Sequence, residues 1–207
     1  MSHSSMSLPP TRLTVGARAV VGCGRLDDNM VRNEPKTTPR NVKSSAPVGS
    51  LIKIEANPDP GNPYPVEDLT NGYRWWYVQT ENGVRGWTTE TGPKSNHDQT
   101  IVYYLDPVAI PKCPGALPSR LQARQRARVI TGNDRLMLRS KAGTTEPIRA
   151  KLENGTEVRL LCNKCGQAMV WWYVVVESGQ HQKKMGWVSE GLNSPRDPNN
   201  GYYLESF

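Results

Sequence analysis

The chain has 207 residues, 36% of them hydrophobic, with 18 Gly, 17 Pro and a formal net charge of +7. This composition favours short strands and many turns over helices, and no apolar run approaches the ~18 residues of a membrane span. The Ser- and Pro-rich start, Met1 to Pro10, lacks the apolar core of a secretory signal, so the expected setting is the cytoplasm or export by another route.

In chain order, residues 1–13 read as a flexible tail. Val15 to Val21 is the first strand-like run, and Asn29 to Arg32 is a short second one that ends at Glu34-Pro35. Leu51, Ile52 and Ile54 sit in a strand that stops at a Pro-rich segment, 57–63, which cannot pair centrally in a sheet. Trp75 to Thr80, the turn Glu81-Asn82-Gly83 and Val84 to Thr88 carry the strongest local signal, two β-rich runs around an Asn-Gly turn, which is a hairpin. Ile101 to Leu105 closes this set. Four prolines between Pro107 and Ser119 make an extended connector. The later strand-like runs are Arg126 to Ile130, Leu136 to Arg139, Glu157 to Leu161, Val170 to Val176, Met185 to Ser189 and Tyr202 to Leu204. The one helix candidate is Leu117 to Arg128.

The second set of strands restates the first. Trp75-Trp76-Tyr77-Val78 followed by Gly86-Trp87 returns as Trp171-Trp172-Tyr173-Val174 followed by Gly186-Trp187. Met30-Val31-Arg32 returns as Met137-Leu138-Arg139, Gly49-Ser50-Leu51-Ile52 as Gly155-Thr156-Glu157-Val158, and Tyr103-Tyr104-Leu105 as Tyr202-Tyr203-Leu204. Ordered self-similarity of this kind marks a duplicated unit of roughly a hundred residues. All six Trp fall inside the repeated blocks, so duplication accounts for them without a catalytic site. The expected organisation is a tail at 1–13, a first domain at 14–106, a Pro/Arg-rich connector at 107–123 and a second domain at 124–207.

These blocks resemble the bacterial SH3-like (SH3b) domains. The resemblance rests on Asn29-Met30-Val31-Arg32, Gly49-Ser50-Leu51-Ile52, the Trp-Trp-Tyr-Val strand and Gly86-Trp87, with their counterparts in the second half, and covers residues 14–106 and 124–207. It implies an all-β protein: two tandem small antiparallel β-barrels with elaborated loops. Two departures stand out. The interval from Trp87 to Tyr103, and from Trp187 to Tyr202, is longer than the family's, and the usual Gly-Pro after the Arg-Ser element is eroded to Glu34-Pro35 and Lys141-Ala142-Gly143.

Successive strand residues face opposite sides, so each Trp-Trp-Tyr-Val strand splits into two pairs. By analogy with the family, Trp76, Val78, Trp172 and Val174 are the inward set, leaving Trp75, Tyr77, Trp171 and Tyr173 as candidate ligand-binding residues. The alternative is that these rings cover loops. Lys112, Arg120, Arg124, Arg126 and Arg128 lie in an interval without an acid between Asp106 and Asp134. They are a candidate polyanion site or a solvated edge whose charge opposes aggregation. Cys162 and Cys165 have the C-x-x-C-G form of zinc knuckles. Zinc, thiol redox and inert turn cysteines are the three readings, with Cys23 and Cys113 the only thiols left to complete a site. No metal and no cofactor are expected. His3, His97 and His181 lie in polar segments away from any nucleophile elbow, so the expectation is a non-enzyme. Such a chain would be a binding module for an extended peptide, a cell-wall peptide or a protein partner, or else a structural or adaptor subunit of a larger assembly. Nucleic-acid binding through the basic connector is the minor alternative.

Overall fold

Period-two alternation of apolar and polar residues, cut by Gly- and Pro-bearing turns, leaves the backbone little option but extended pairing. The computed structural model describes residues 7–23, 27–59, 61, 65–95, 97–192 and 201–207, and these contain no α-helix. The architecture is all-β, with two antiparallel sheets, one of them a half-barrel. The chain divides into two compact units, Met1–Val108 and Ala109–Phe207.

In the first unit the strands are β1 (Arg18–Val21), β2 (Asn29–Arg32), β3 (Val42–Ala46), β4 (Leu51–Ile54), β5 (Val66–Asp68), β6 (Tyr73–Thr80), β7 (Arg85–Pro93), β8 (Ile101–Tyr103) and β9 (Leu105–Pro107). Their order is β3-β2-β7-β6-β4-β1-β9, with β5 added to β6 and β8 to β7. The second unit contains β10 (Arg126–Val129), β11 (Leu136–Arg139), β12 (Ile148–Leu152), β13 (Glu157–Gly166), β14 (Met169–Val176), β15 (Met185–Ser189) and β16 (Leu204–Ser206), ordered β12-β11-β15-β14-β13-β10-β16. Each strand of this second path occupies the place of its sequence counterpart in the first. The duplication read from the aromatic blocks is therefore a duplication of topology.

The Asn-Gly hairpin forms as expected: β6 and β7 pair from Arg74↔Thr91 to Gln79↔Arg85, and Gly83 N–H closes the turn onto Thr80 O. The glycine of each Gly-Trp element has a steric purpose. A Cβ on Gly86 would lie 2.4 Å from Arg32 O, and one on Gly186 would lie 2.7 Å from Arg139 O. Only glycine lets β7 cross β2, and β15 cross β11, at the single paired position that joins them.

The helix candidate at Leu117 to Arg128 is not a helix. Arg124 has φ of 79°, which no right-handed helix tolerates, and its N–H donates to Leu160 O, which ties the segment to β13. The boundaries also shift. Leu13, assigned to the tail, is 2% exposed within the first core beside Ile52, Ile54, Trp76 and Leu105. Its counterpart Leu121, assigned to the connector, is completely buried. Each unit thus begins a few residues before the expected starts at 14 and 124, with a short docked strap, Pro10-Thr11-Arg12-Leu13 or Pro118-Ser119-Arg120-Leu121.

Candidate functional site

Each strap is held by a carboxylate buried at the same point of the sheet. Glu90 is fully buried and accepts from Thr11 Oγ1 at 2.8 Å, Arg12 N–H at 2.8 Å and Trp76 Nε1 at 2.9 Å. Glu190 accepts from Ser119 Oγ at 2.6 Å, Arg120 N–H at 2.7 Å and Trp172 Nε1 at 2.8 Å. A buried carboxylate is tolerable only when such donors replace its water. The arginine of each strap then lies over a tyrosine ring, Arg12 at 3.4 Å from the Tyr103 centroid and Arg120 at 3.7 Å from that of Tyr202. The two hydroxyls complete the clasp on Pro10 O and Pro118 O. The first unit adds a cation, with Arg74 Nη1 3.8 Å from Glu90 and its other arm 2.8 Å from Glu67.

These two latches form the inner face of each Trp-Trp-Tyr-Val strand, where Trp76, Val78, Trp172 and Val174 are all buried as expected. The opposite face is not the open aromatic surface that alternation suggested. Trp75 is 1% exposed and Trp171 2%; Tyr173 is also buried, and Tyr77 is half-buried. Other groups of the same unit cover them. Tyr77 packs edge-on to Trp87 and Tyr173 tilts against Trp187, with centroids 5.5 and 5.3 Å apart. Trp75 leans on Tyr73 at 5.7 Å.

What that face does offer is a cleft, once in each unit and in the same place. The first, of about 570 Å³, is walled by Met30 and Arg32 of β2, Tyr73 and Trp75 of β6, and Thr89 of β7. The second, of about 410 Å³, is walled by Met137 and Arg139 of β11, Met169 and Trp171 of β14, and Ser189 of β15. Trp75 and Trp171 thus contribute to cleft walls rather than to an exposed platform, and Tyr77 and Tyr173 lie outside both linings. Arg32 donates to Thr38 O at 2.9 Å and Arg139 to Glu146 O at 2.7 Å, so each guanidinium holds the loop that rims its cleft. Burial lowers the pKa of Arg32, with neighbouring Tyr73 acting the other way.

The clefts have diverged in chemistry. In the first, Asn29 and Thr89 form a buried reciprocal pair, Nδ2 to Thr89 O at 2.8 Å and Thr89 Oγ1 to Asn29 Oδ1 at 3.1 Å, and Asp27 and Asp28 stand at the rim. In the second, the positions of Asn29 and Tyr73 are taken by Leu136 and Met169, which makes it more apolar, and that of Asp28 by Arg135, which reverses the charge.

The basic stretch is not isolated in space. Arg126 pairs with Glu157 at 2.9 Å and Glu177 at 2.7 Å, and Arg128 lies 3.8 Å from Glu157. Strand pairing brings in the acids that the linear interval lacked, while Arg120 belongs to the strap clasp. Arg124 and Lys112 are exposed. Cys162 and Cys165 lie within β13 rather than in a turn, and three residues apart in a strand they face opposite ways. Cys162 is buried and Cys165 is bonded to Cys113. None of the four cysteines is a free thiol, which removes the zinc and dithiol readings of the C-x-x-C. Of the histidines, His97 is exposed, His181 is half-buried in a loop, and His3 lies outside the described residues.

No family model matches the chain, and no curated protein is significantly similar to it in sequence.

Sequence reasoning missed the strap-and-carboxylate latch, although it left a signal. Pro-Thr/Ser-Arg-Leu precedes each set of strands, and Glu stands three residues after each Gly-Trp tryptophan, at 90 and 190.

Proposed function

We propose that the chain is a non-catalytic tandem binding module, built from two SH3-like units, that recognises an extended peptide, such as a cell-wall peptide or a segment of a protein partner. The observation that carries this reading is the pair of clefts at equivalent places in two sheets of identical strand order, each walled by the repeated Met, Arg and Trp of the duplicated blocks. Concave sites with a few convergent polar groups are where ligands of this size bind, and a duplicated cleft suits a repetitive or extended partner through effective concentration. The Cys113–Cys165 disulfide supports a setting outside the reducing cytoplasm, where wall peptides and secreted partners are met.

The test is retention of the protein on purified bacterial cell wall, compared with a Met30→Glu plus Met137→Glu variant. Both methionines are half-buried cleft residues rather than core, so the variant folds normally and its retention drops several-fold. Equal retention of wild type and variant sinks the cleft reading. A wild type that is not retained on wall, yet brings down a stoichiometric protein through the same clefts, moves the ligand from wall to protein.

A further inference from the structure

We propose that the second cleft is set only in the oxidised protein: Gln167 holds its rim loop from outside, and the Cys113–Cys165 bridge holds Gln167. This rests on the binding-module reading and specifies which cleft answers to redox state. Each cleft is rimmed by the loop after the Met-x-Arg strand, 33–41 in the first unit and 140–147 in the second, with Thr37 and Thr144 in the linings. The first loop is held from within. The buried side chain of Asn41 accepts Glu34 N–H at 3.0 Å and donates to Glu34 O at 2.8 Å and Lys36 O at 3.1 Å. The backbone bond from Asn33 N–H to Asn41 O returns as Ser140 N–H to Pro147 O. Pro147 thus stands in the place of Asn41 and carries no side-chain amide. The second loop takes one from another hairpin, where Gln167 Oε1 accepts Thr144 N–H at 2.7 Å.

Gln167 and Ala168 form the two-residue turn beyond the pair Gly166↔Met169, and both have φ of 53°. A turn of that shape selects Asn-Gly, because left-handed backbone is costly for any residue with a Cβ. They are the only consecutive non-glycine pair of this kind among the described residues. Such a locally poor choice persists where the surroundings enforce it, and it marks a functional constraint. The constraint is Thr144, which Gln167 must reach. The enforcement comes from the connector. Cys113 is bonded to Cys165, and Gly115 lies so close to the turn that a Cβ on it would be 3.2 Å from that of Ala168. Cys165 is exposed, so the thiolate of a dithiol can reach its sulfur. That thiolate bonds to Cys165, Cys113 leaves and takes up a proton, and the second thiol of the reductant then displaces Cys165. Two electrons and two protons pass to the protein, and the dithiol becomes a disulfide. The turn loses its brace, Gln167 leaves Thr144, and the rim of the second cleft loosens while that of the first stays.

The experiment follows amide hydrogen exchange by NMR in the ¹⁵N-labelled full chain, as wild type, as Gln167→Gly, and as Cys113→Ser with Cys165→Ser, which opens this bridge alone. Gln167→Gly removes the acceptor yet relieves the left-handed backbone, so this variant folds at least as well as wild type. In both variants Thr144 exchanges about tenfold faster, while Ser140, bonded to Pro147 O, is unchanged. Retention on purified cell wall is then measured in the Met30→Glu protein, which keeps only the second cleft intact, and in Met137→Glu, which keeps only the first. Adding Gln167→Gly lowers retention several-fold in the former and leaves the latter alone. Unchanged Thr144 exchange in Gln167→Gly overturns the tether. Faster exchange there, with wild-type exchange in the double serine variant, overturns the redox dependence. Retention that falls equally in both backgrounds, or in neither, overturns the assignment to the second cleft. A wild type that is not retained on wall at all overturns the cell-wall reading instead, and Thr144 exchange still decides the rim.

Discussion

Replacing Glu190 by Gln tests the latch with almost no change of shape. In the native unit, Oε1 receives the Arg120 N–H at 2.7 Å, while Oε2 receives the Ser119 hydroxyl at 2.6 Å and the Trp172 indole at 2.8 Å. A Gln has one oxygen and one NH₂. With the NH₂ in place of Oε2, Ser119 can turn to accept, but the Trp172 N–H then faces another donor. With the NH₂ in place of Oε1, the Arg120 N–H does. Either way one buried donor is orphaned, at ~1–3 kcal/mol, and the surviving bonds fall to about half their charge-assisted strength. Release of the buried carboxylate offsets part of this. The expected loss is about 2 kcal/mol, or roughly 8–16 °C in Tm for a unit of this size. Urea unfolding followed by tryptophan fluorescence measures it, and a double-mutant cycle with Trp172→Phe should give a coupling above ~1 kcal/mol. A loss below ~0.5 kcal/mol, or simple additivity, would refute the latch. Glu90→Gln should cost more than Glu190→Gln, because it also takes the carboxylate away from Arg74, whose side chain is 6% exposed.

Leu13→Ala and Leu121→Ala each remove a fully enclosed strap residue and should destabilise their own unit by ~2–4 kcal/mol in denaturant titration; a loss comparable to that of a surface substitution would return these segments to tail and connector. The Cys113–Cys165 bridge spans 52 residues, so chain entropy assigns it about 4 kcal/mol; Cys113→Ser with Cys165→Ser should lower the unfolding midpoint of the second unit, and an unchanged midpoint would contradict this. At Glu177 burial disfavours ionisation, but hydrogen bonds from Arg126 and Arg159 prevail and hold its carboxyl below the ordinary value. Such a group stabilises the fold above its unfolded pKa and loses that contribution as pH falls through the folded one. Stability measured from pH 5 down to 3 should therefore decline less steeply in Glu177→Gln than in wild type; parallel profiles would exclude it as a contributor.

Elements whose cause is local were legible. Asn82-Gly83 between two β-rich runs needs no distant partner to make a hairpin, and alternation separates Trp76 and Trp172 from Trp75 and Trp171, while the choice of the former as the inward set comes from the family resemblance. Elements whose cause is remote were not. Alternation puts Trp75 and Trp171 on the second face, but whether that face meets solvent depends on β2 and its loop, which return from elsewhere in the chain. Arg126 and Arg128 looked unopposed because Glu157 and Glu177 are distant in sequence and adjacent only through β-pairing. The strap escaped notice because four residues with one apolar member carry no periodicity, and only its partner carboxylate, some 80 positions later, gives it meaning.

That separation has a consequence for how the protein is made. Thr11 and Arg12 leave the ribosome long before Glu90, and Ser119 and Arg120 long before Glu190. During synthesis, at ~5–20 residues per second, the leading segment of each unit must wait several seconds for its acceptor. Until then the strap peptide stays hydrated, and the leucine behind it is open to competing contacts. Long-range closure of this kind is slow, so locking of the strap is expected to be the last event in each unit. A translational pause once residue 105 has cleared the ribosome would let the first unit close before the corresponding strap of the second, so like in sequence, emerges to compete for Glu90.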